Sequence, residues 1–193
     1  MAFSTVGAAE TLPVTANAVF TVNGQEFTIT RVSTLEQSSI SALIQSSATC
    51  VAPCLSPMST APNVPTLGEL DVIEFLSTQV ESGDGLLIDA RLPEDRALGY
   101  IPASVNIPAA TLTPSNPYRD EILLALGAQH YQSVFSFTDA ISLMVYDSGP
   151  ATQDAAALIV DLLAASYPPE KIGYYRGGVQ VWTTLGLSTT AAT

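Results

Sequence analysis

Positive charge is scarce in this chain. Six Lys and Arg stand against 18 Asp and Glu, the formal charge is −12 at pH 7, and Lys171 is the one lysine. Nucleic acid and anionic membrane surfaces are excluded as partners, because both need a basic patch to neutralise phosphate. Charged residues of either sign make up 12% of the chain, about half the usual share, so the surface must be built largely from Ser, Thr, Ala, Asn and Gln. No run approaches the roughly 20 apolar residues of a membrane span, and membrane insertion is not expected. No basic n-region followed by an apolar h-region precedes Ala8, so the expectation is a matured form without its signal peptide. Low lysine and low pI keep such a surface nearly neutral in acid, which points to a periplasmic or extracellular protein. The one histidine, His130, sits in Gln129-His130-Tyr131 and reads as a solvated turn residue rather than a base. Cysteine is limited to Cys50 and Cys54.

The cysteine pair opens Cys50-Val51-Ala52-Pro53-Cys54-Leu55-Ser56-Pro57-Met58. In an oxidising compartment the pair reads as a disulfide. Two thiols and the Met58 thioether at i, i+4 and i+8 also suit Cu(I) or another thiophilic ion. A redox or sulfur-carrying couple is the third reading, although no helix N-terminus is at hand to lower a thiol pKa. No other cofactor is implied.

Around this pair the chain divides at residue 65. Val19 to Val22 and Glu26 to Thr30 alternate about Asn23-Gly24, the strongest local signal for a β-hairpin. Residues 33–65 are rich in Ser, Thr, Pro and Ala and read as loop. Thr66-Leu67-Gly68-Glu69 has the form of a capping box, with Leu70, Ile73, Phe75 and Leu76 as the apolar face of the helix that follows. Short strands are expected at Leu86 to Asp89, Ile101 to Ile107, Ser142 to Tyr146 and Lys171 to Tyr175. Helices are expected at Tyr118 to Leu126, Thr152 to Ala165 and Val179 to Leu185. Hydrophobic strands alternating with helices predict an α/β fold, a central parallel sheet flanked by helices on both faces. The division is then a hairpin and loop extension at 1–65 and an α/β domain at 66–193.

The order of several motifs resembles the rhodanese-like domain family. They are Leu87-Ile88-Asp89-Ala90-Arg91, Gly99-Tyr100-Ile101-Pro102-Ala103-Ser104-Val105-Asn106-Ile107-Pro108, Met144-Val145-Tyr146-Asp147-Ser148-Gly149, and Tyr175-Arg176-Gly177-Gly178-Val179-Gln180-Val181-Trp182. The extension with its cysteine pair is similar to that of some bacterial exported single-domain rhodaneses. The resemblance implies structural roles for Asp89 and Arg91 as an ion pair, for Gly177 and Gly178 as a tight turn, and for Trp182 as a core anchor.

It also implies that the residue after the central strand should be a cysteine carrying a persulfide. Asp147 stands there, followed by Ser148, Gly149, Pro150, Ala151 and Thr152. A carboxylate forms no sulfur–sulfur bond, and it sets a fixed negative charge where thiosulfate would dock. What Asp147 can do is accept the hydrogen bonds of the loop that would otherwise hold an anion. The expectation is a non-catalytic domain serving as a binding or self-assembly module, with a protein partner or a second copy as its ligand. The alternatives are sulfurtransfer or sulfur carriage by Cys50 or Cys54, and metal binding by Cys50, Cys54 and Met58.

Overall fold

The computed structural model describes residues 18–30, 55–132 and 134–191. Cys50 and Cys54 lie outside the described residues, so the disulfide, metal and redox readings of the pair meet no structural observation. Strands β1 (Ala18–Val22) and β2 (Gln25–Ile29) pair antiparallel with Val22 opposite Gln25. Asn23 and Gly24 both take positive φ, 50° and 79°, the two left-handed residues that a type I′ turn requires.

After the described residues resume come β3 (Thr66–Leu67), α1 (Glu69–Phe75, continued by a π turn over Leu76–Val80), β4 (Gly85–Asp89), α2 (Pro93–Ala97) and β5 (Val105–Asn106). Then follow α3 (Arg119–Ala125), β6 (Gln129–Tyr131), β7 (Val134–Ser136), β8 (Ser142–Tyr146), α4 (Asp154–Ala164), β9 (Ile172–Tyr175) and α5 (Gly178–Thr184). Five of these strands form one parallel sheet in the order β3-β9-β8-β4-β5. β8 is its centre, and its carboxyl end delivers Asp147.

Alternate side chains of the strands feed two cores, one on each face of the sheet. Ile88, Val145 and Ile172 pack with Leu158, Ile159 and Leu162 of α4. Leu87, Met144, Tyr146 and Tyr175 pack with Val72 and Leu76 and with Val179 and Trp182 of α5. The N-terminal hairpin contributes to this second core through Phe20 and Ile29, both fully buried. It is also clasped at its end. The Thr30 N–H donates to Ser188 Oγ at 3.1 Å, and the Ser188 N–H donates to the Thr30 carbonyl at 2.9 Å.

Four local expectations are corrected. Thr66 is not the cap of α1: it pairs with Tyr174 at the sheet edge, Gly68 is the N-cap, and the Gly68 N–H donates to Asp71 Oδ2 at 2.8 Å. Pairing of β3 with β9 draws Thr66 and Leu67 into the sheet and delays the helix by two residues. The buried stripe of the helix is accordingly Val72, Leu76 and Val80, whereas Leu70 is 52% exposed. The strand expected from Ile101 to Ile107 is confined to β5, because Pro102 and a left-handed Ala103 (φ 61°) break the extended backbone. His130 lies in β6 opposite Phe135, not in a turn.

Candidate functional site at the carboxyl edge of the sheet

Asp147 leaves β8 fully buried and turns toward the first residues of α4. One carboxylate oxygen accepts the Gly149 N–H at 3.0 Å, and the other accepts the Ala155 N–H, on the second residue of the helix, at 3.0 Å. An unpaired N–H at a helix start favours an anion; here the anion is the chain's own side chain. The Thr152 hydroxyl donates to the Gly149 carbonyl at 2.9 Å and closes the turn. Ser148 is buried beside it, and its hydroxyl makes no hydrogen bond among the described residues.

Burial outweighs the hydrogen bonds in setting the proton affinity. It pushes the Asp147 carboxyl up from 3.8 to about 6, against the opposing pull of the Ala155 N–H, the Thr152 hydroxyl and the Gly149 N–H. The folded chain therefore holds this proton more tightly than the unfolded one. The contribution is full below about pH 4 and is lost as pH rises through 6. The full difference is about 3 kcal/mol. Asp154 is raised in the same direction, by burial first and then by Asp95 and Asp89. Urea unfolding at about pH 4 and about pH 7.5 should show the wild type losing stability with rising pH, and Asp147→Asn should flatten that dependence.

The loop is braced from two sides. Val179 N–H and Gln180 N–H, at the start of α5, donate to the carbonyls of Asp147 (3.1 Å) and Ser148 (2.9 Å). Gly178 makes that approach feasible: its φ is +59°, and a Cβ there would lie 2.4 Å from the Asp147 carbonyl oxygen and 2.5 Å from the Gly149 nitrogen. From the other side, the segment around Ser56 lies across the loop. The Ser56 N–H donates to the Pro150 carbonyl at 2.8 Å, its hydroxyl donates to the Thr152 carbonyl, and its own carbonyl accepts Arg176 Nε at 3.0 Å. Ala151 stays exposed. Met58 is 66% exposed, and its carbonyl accepts the Thr66 hydroxyl.

One strand away, Asp89 and Arg91 are fully buried together. Arg91 Nε and Nη2 engage the two carboxylate oxygens at 2.9 and 2.7 Å. Burial opposes the charge of Arg91, yet Asp89 holds the guanidinium raised above its ordinary value. Asp89 Oδ2 also accepts Arg96 Nη1 at 3.1 Å and the Tyr146 hydroxyl at 3.0 Å. Arg96 reaches on to Ser104 and lies over the Tyr100 ring, 3.6 Å from its centroid. The network ties β4, α2 and β8 into one frame beneath the loop. Trp182 stands apart in the second core, its Nε1 donating to the Ser188 carbonyl at 2.9 Å.

The structure thus brings Asp147, Ser148, Gly149, Thr152 and Gly178 into one cluster and places Asp89 with Arg91 in a second. Sequence reasoning missed Ser56, Ala155, Arg176, Arg96, Ser104 and Tyr146. Ser104, Tyr146 and Arg176 fall within motifs already singled out; Arg96 lies between two of them, and neither it nor Ser56 carries a local signal.

A profile of the rhodanese-like domain matches residues 73–185, more than half of the chain, and the chain belongs to that family. No curated protein matches it. Among solved structures it is similar to a protein of unknown function from Rhodopseudomonas palustris, at 17% identity and TM-score 0.49, covering 82% of this chain and 99% of that one. It is also similar to thiosulfate sulfurtransferase from Pseudomonas aeruginosa, at 17% identity and TM-score 0.49, covering 81% of this chain and 23% of that one. A human single-domain sulfurtransferase shares 20% identity at TM-score 0.42, covering 63% of this chain and 96% of that one. Among the described residues no helix is long and apolar enough to cross a membrane.

Proposed function

We propose that this protein is a catalytically silent rhodanese-like domain, residues 66–193 with an extension at 1–65, acting as a binding or self-assembly module in the periplasm or outside the cell. The seat of Asp147 carries the reading. Sulfane-sulfur transfer needs a thiolate that attacks sulfur and holds it as a persulfide. A carboxylate does neither, and this one already occupies the N–H groups of Gly149 and Ala155. Its charge repels thiosulfate from the same place.

The test is thiosulfate:cyanide sulfurtransfer. The wild type should show no turnover above the uncatalysed rate. In Asp147→Cys the same backbone donors face a thiolate, so turnover appearing only in that variant would locate the loss in the nucleophile. Turnover by the wild type that survives replacement of both Cys50 and Cys54 would overturn the reading.

A second reading draws on Ser56. The segment that lies on the loop begins two residues after Cys54 in sequence, which favours sulfur carriage by Cys50 or Cys54 over a use remote from the loop. Free-thiol titration of the native protein separates the two: unreactive cysteines remove sulfur carriage and metal binding together.

A further inference from the structure

Residues 55–65 form a strap, and Ser56 docks one end of it on the Asp147 loop. Ser56 is buried, whereas its neighbours Leu55, Pro57, Met58 and Ser59 are exposed. This end is therefore held by polar bonds from a single residue, to the Pro150 and Thr152 carbonyls and from Arg176, with Leu55 and Met58 left in solvent. The other end is fixed. Val64 is buried in the first core, and the Pro65 carbonyl accepts the Tyr174 N–H at 2.9 Å. A segment pinned at one end and polar at the other has the build of an element that opens locally.

Tyr174 links this end of the strap to the carboxylate. Its side chain is fully buried. Burial first, and then the Asp147 charge, raise the proton affinity of its hydroxyl, while the Ser56 hydroxyl and Arg176 lower it. Strap, tyrosine and carboxylate thus share one neighbourhood. Asp147 is fully buried, accepts two N–H groups and has no ion-pair partner among the described residues. The groups around it supply no countercharge. Asp154 of α4 is a second carboxylate, Tyr174 of β9 is neutral, and Val179 and Gln180 of α5 and Ser56 of the strap carry no charge. Arg176 is turned to the Ser56 carbonyl, and Asp89 is paired with Arg91. A protonated carboxyl is at home in such a place; an ionised one gains by meeting water.

We propose that the strap is a proton-operated latch: it stays closed over the loop while Asp147 is protonated and opens when that carboxyl ionises. Acid then fastens this stretch to the domain, and neutral pH frees it. The proposal rests on the seat of Asp147 described above and concerns the regulation of that site. The closed form holds the Asp147 proton more tightly than a form in which water reaches the carboxylate, so by linkage each proton lost favours opening. Burial raises this carboxyl from 3.8 to about 6. Closure is accordingly most stable below about pH 4 and weakens as pH rises through 6.

Hydrogen exchange of the full chain, resolved at single amides by NMR and divided by the intrinsic rate at each pH, reads the latch at the Ser56 N–H. Its protection should be about tenfold or more lower at about pH 7.5 than at about pH 4. At both values it should exchange faster than the amides of β8, the mark of a local opening. In Asp147→Asn its protection should be the same at both. Ser56→Ala removes the hydroxyl bond to Thr152 and loosens the strap. It should narrow the difference in urea stability between the two pH values, whereas a merely structural serine would lower stability equally at both. Equal Ser56 protection at the two pH values, exchange in step with β8, a pH dependence that persists in Asp147→Asn, or an equal loss in Ser56→Ala would each overturn the latch. None of these results bears on the thiosulfate assay, so the latch and the silent loop can fail separately.

Discussion

Arg91→Met should lower the free energy of unfolding by about 3–5 kcal/mol, measured from urea unfolding curves. Asp89 is wholly shielded from water and depends on donors from three residues, Arg91, Arg96 and Tyr146. Arg91 engages both of its oxygens and also donates to the carbonyls of Asp95 and Gly99, at 3.2 and 2.8 Å. Methionine fills most of the volume but removes the cation that spans both carboxylate oxygens. It leaves Arg96 and the Tyr146 hydroxyl at Oδ2 and the backbone N–H of residue 91 at Oδ1, and takes one donor from each of the Asp95 and Gly99 carbonyls. A half-paired buried charge is worse than none. The double variant Asp89→Leu, Arg91→Met should therefore recover part of the loss. If Arg91→Met alone were nearly neutral, the pair would not be the brace described above.

Gly178→Ala should be nearly as damaging, at about 3 kcal/mol or more. The left-handed conformation alone disfavours alanine by about 1–2 kcal/mol. The added methyl would also overlap the backbone of Asp147 and Gly149, with contacts of 2.4 to 2.7 Å. Those atoms cannot swing aside as a flexible side chain can. The Asp147 carbonyl accepts the Val179 N–H, and the Gly149 N–H donates to the Asp147 carboxylate. Thermal unfolding should show the loss directly. Gly24→Ala is the matched control, because its φ is also positive but no atom lies within 4 Å of a Cβ there; it should show the conformational part alone.

The parallel sheet was legible because its strands are short apolar runs separated by helices, and Ser142 to Tyr146 ends at a carboxylate as a buried strand at a site would. The hairpin was legible because Asn23-Gly24 allows few other turns. Two kinds of feature stayed hidden. Thr66 looked like a cap because capping is a local signal, whereas its partner Tyr174 is supplied from the far end of the domain. Ser56 reaches Thr152 across 96 positions, and no spacing rule covers that distance. The β6–β7 ribbon was also missed, since its exposed, non-alternating residues have no sheet face to pattern them. At Asp147 the residue type was readable, and so was the helix start it would meet. That burial rather than its hydrogen bonds governs its proton could come only from the packing.

The clasp between Thr30 and Ser188 joins residues 158 apart, and it has a consequence for synthesis. A chain emerging N-terminus first presents Phe20 and Ile29 before Leu76 and Val80, and long before Met144, Trp182 and Leu187, which share the same core. The hairpin can meet the turn at Leu76–Val80 early, but its clasp closes only once Ser188 has been made. Contacts of such span are the slow ones in folding. The clasp that closes this core joins the hairpin to the segment after α5.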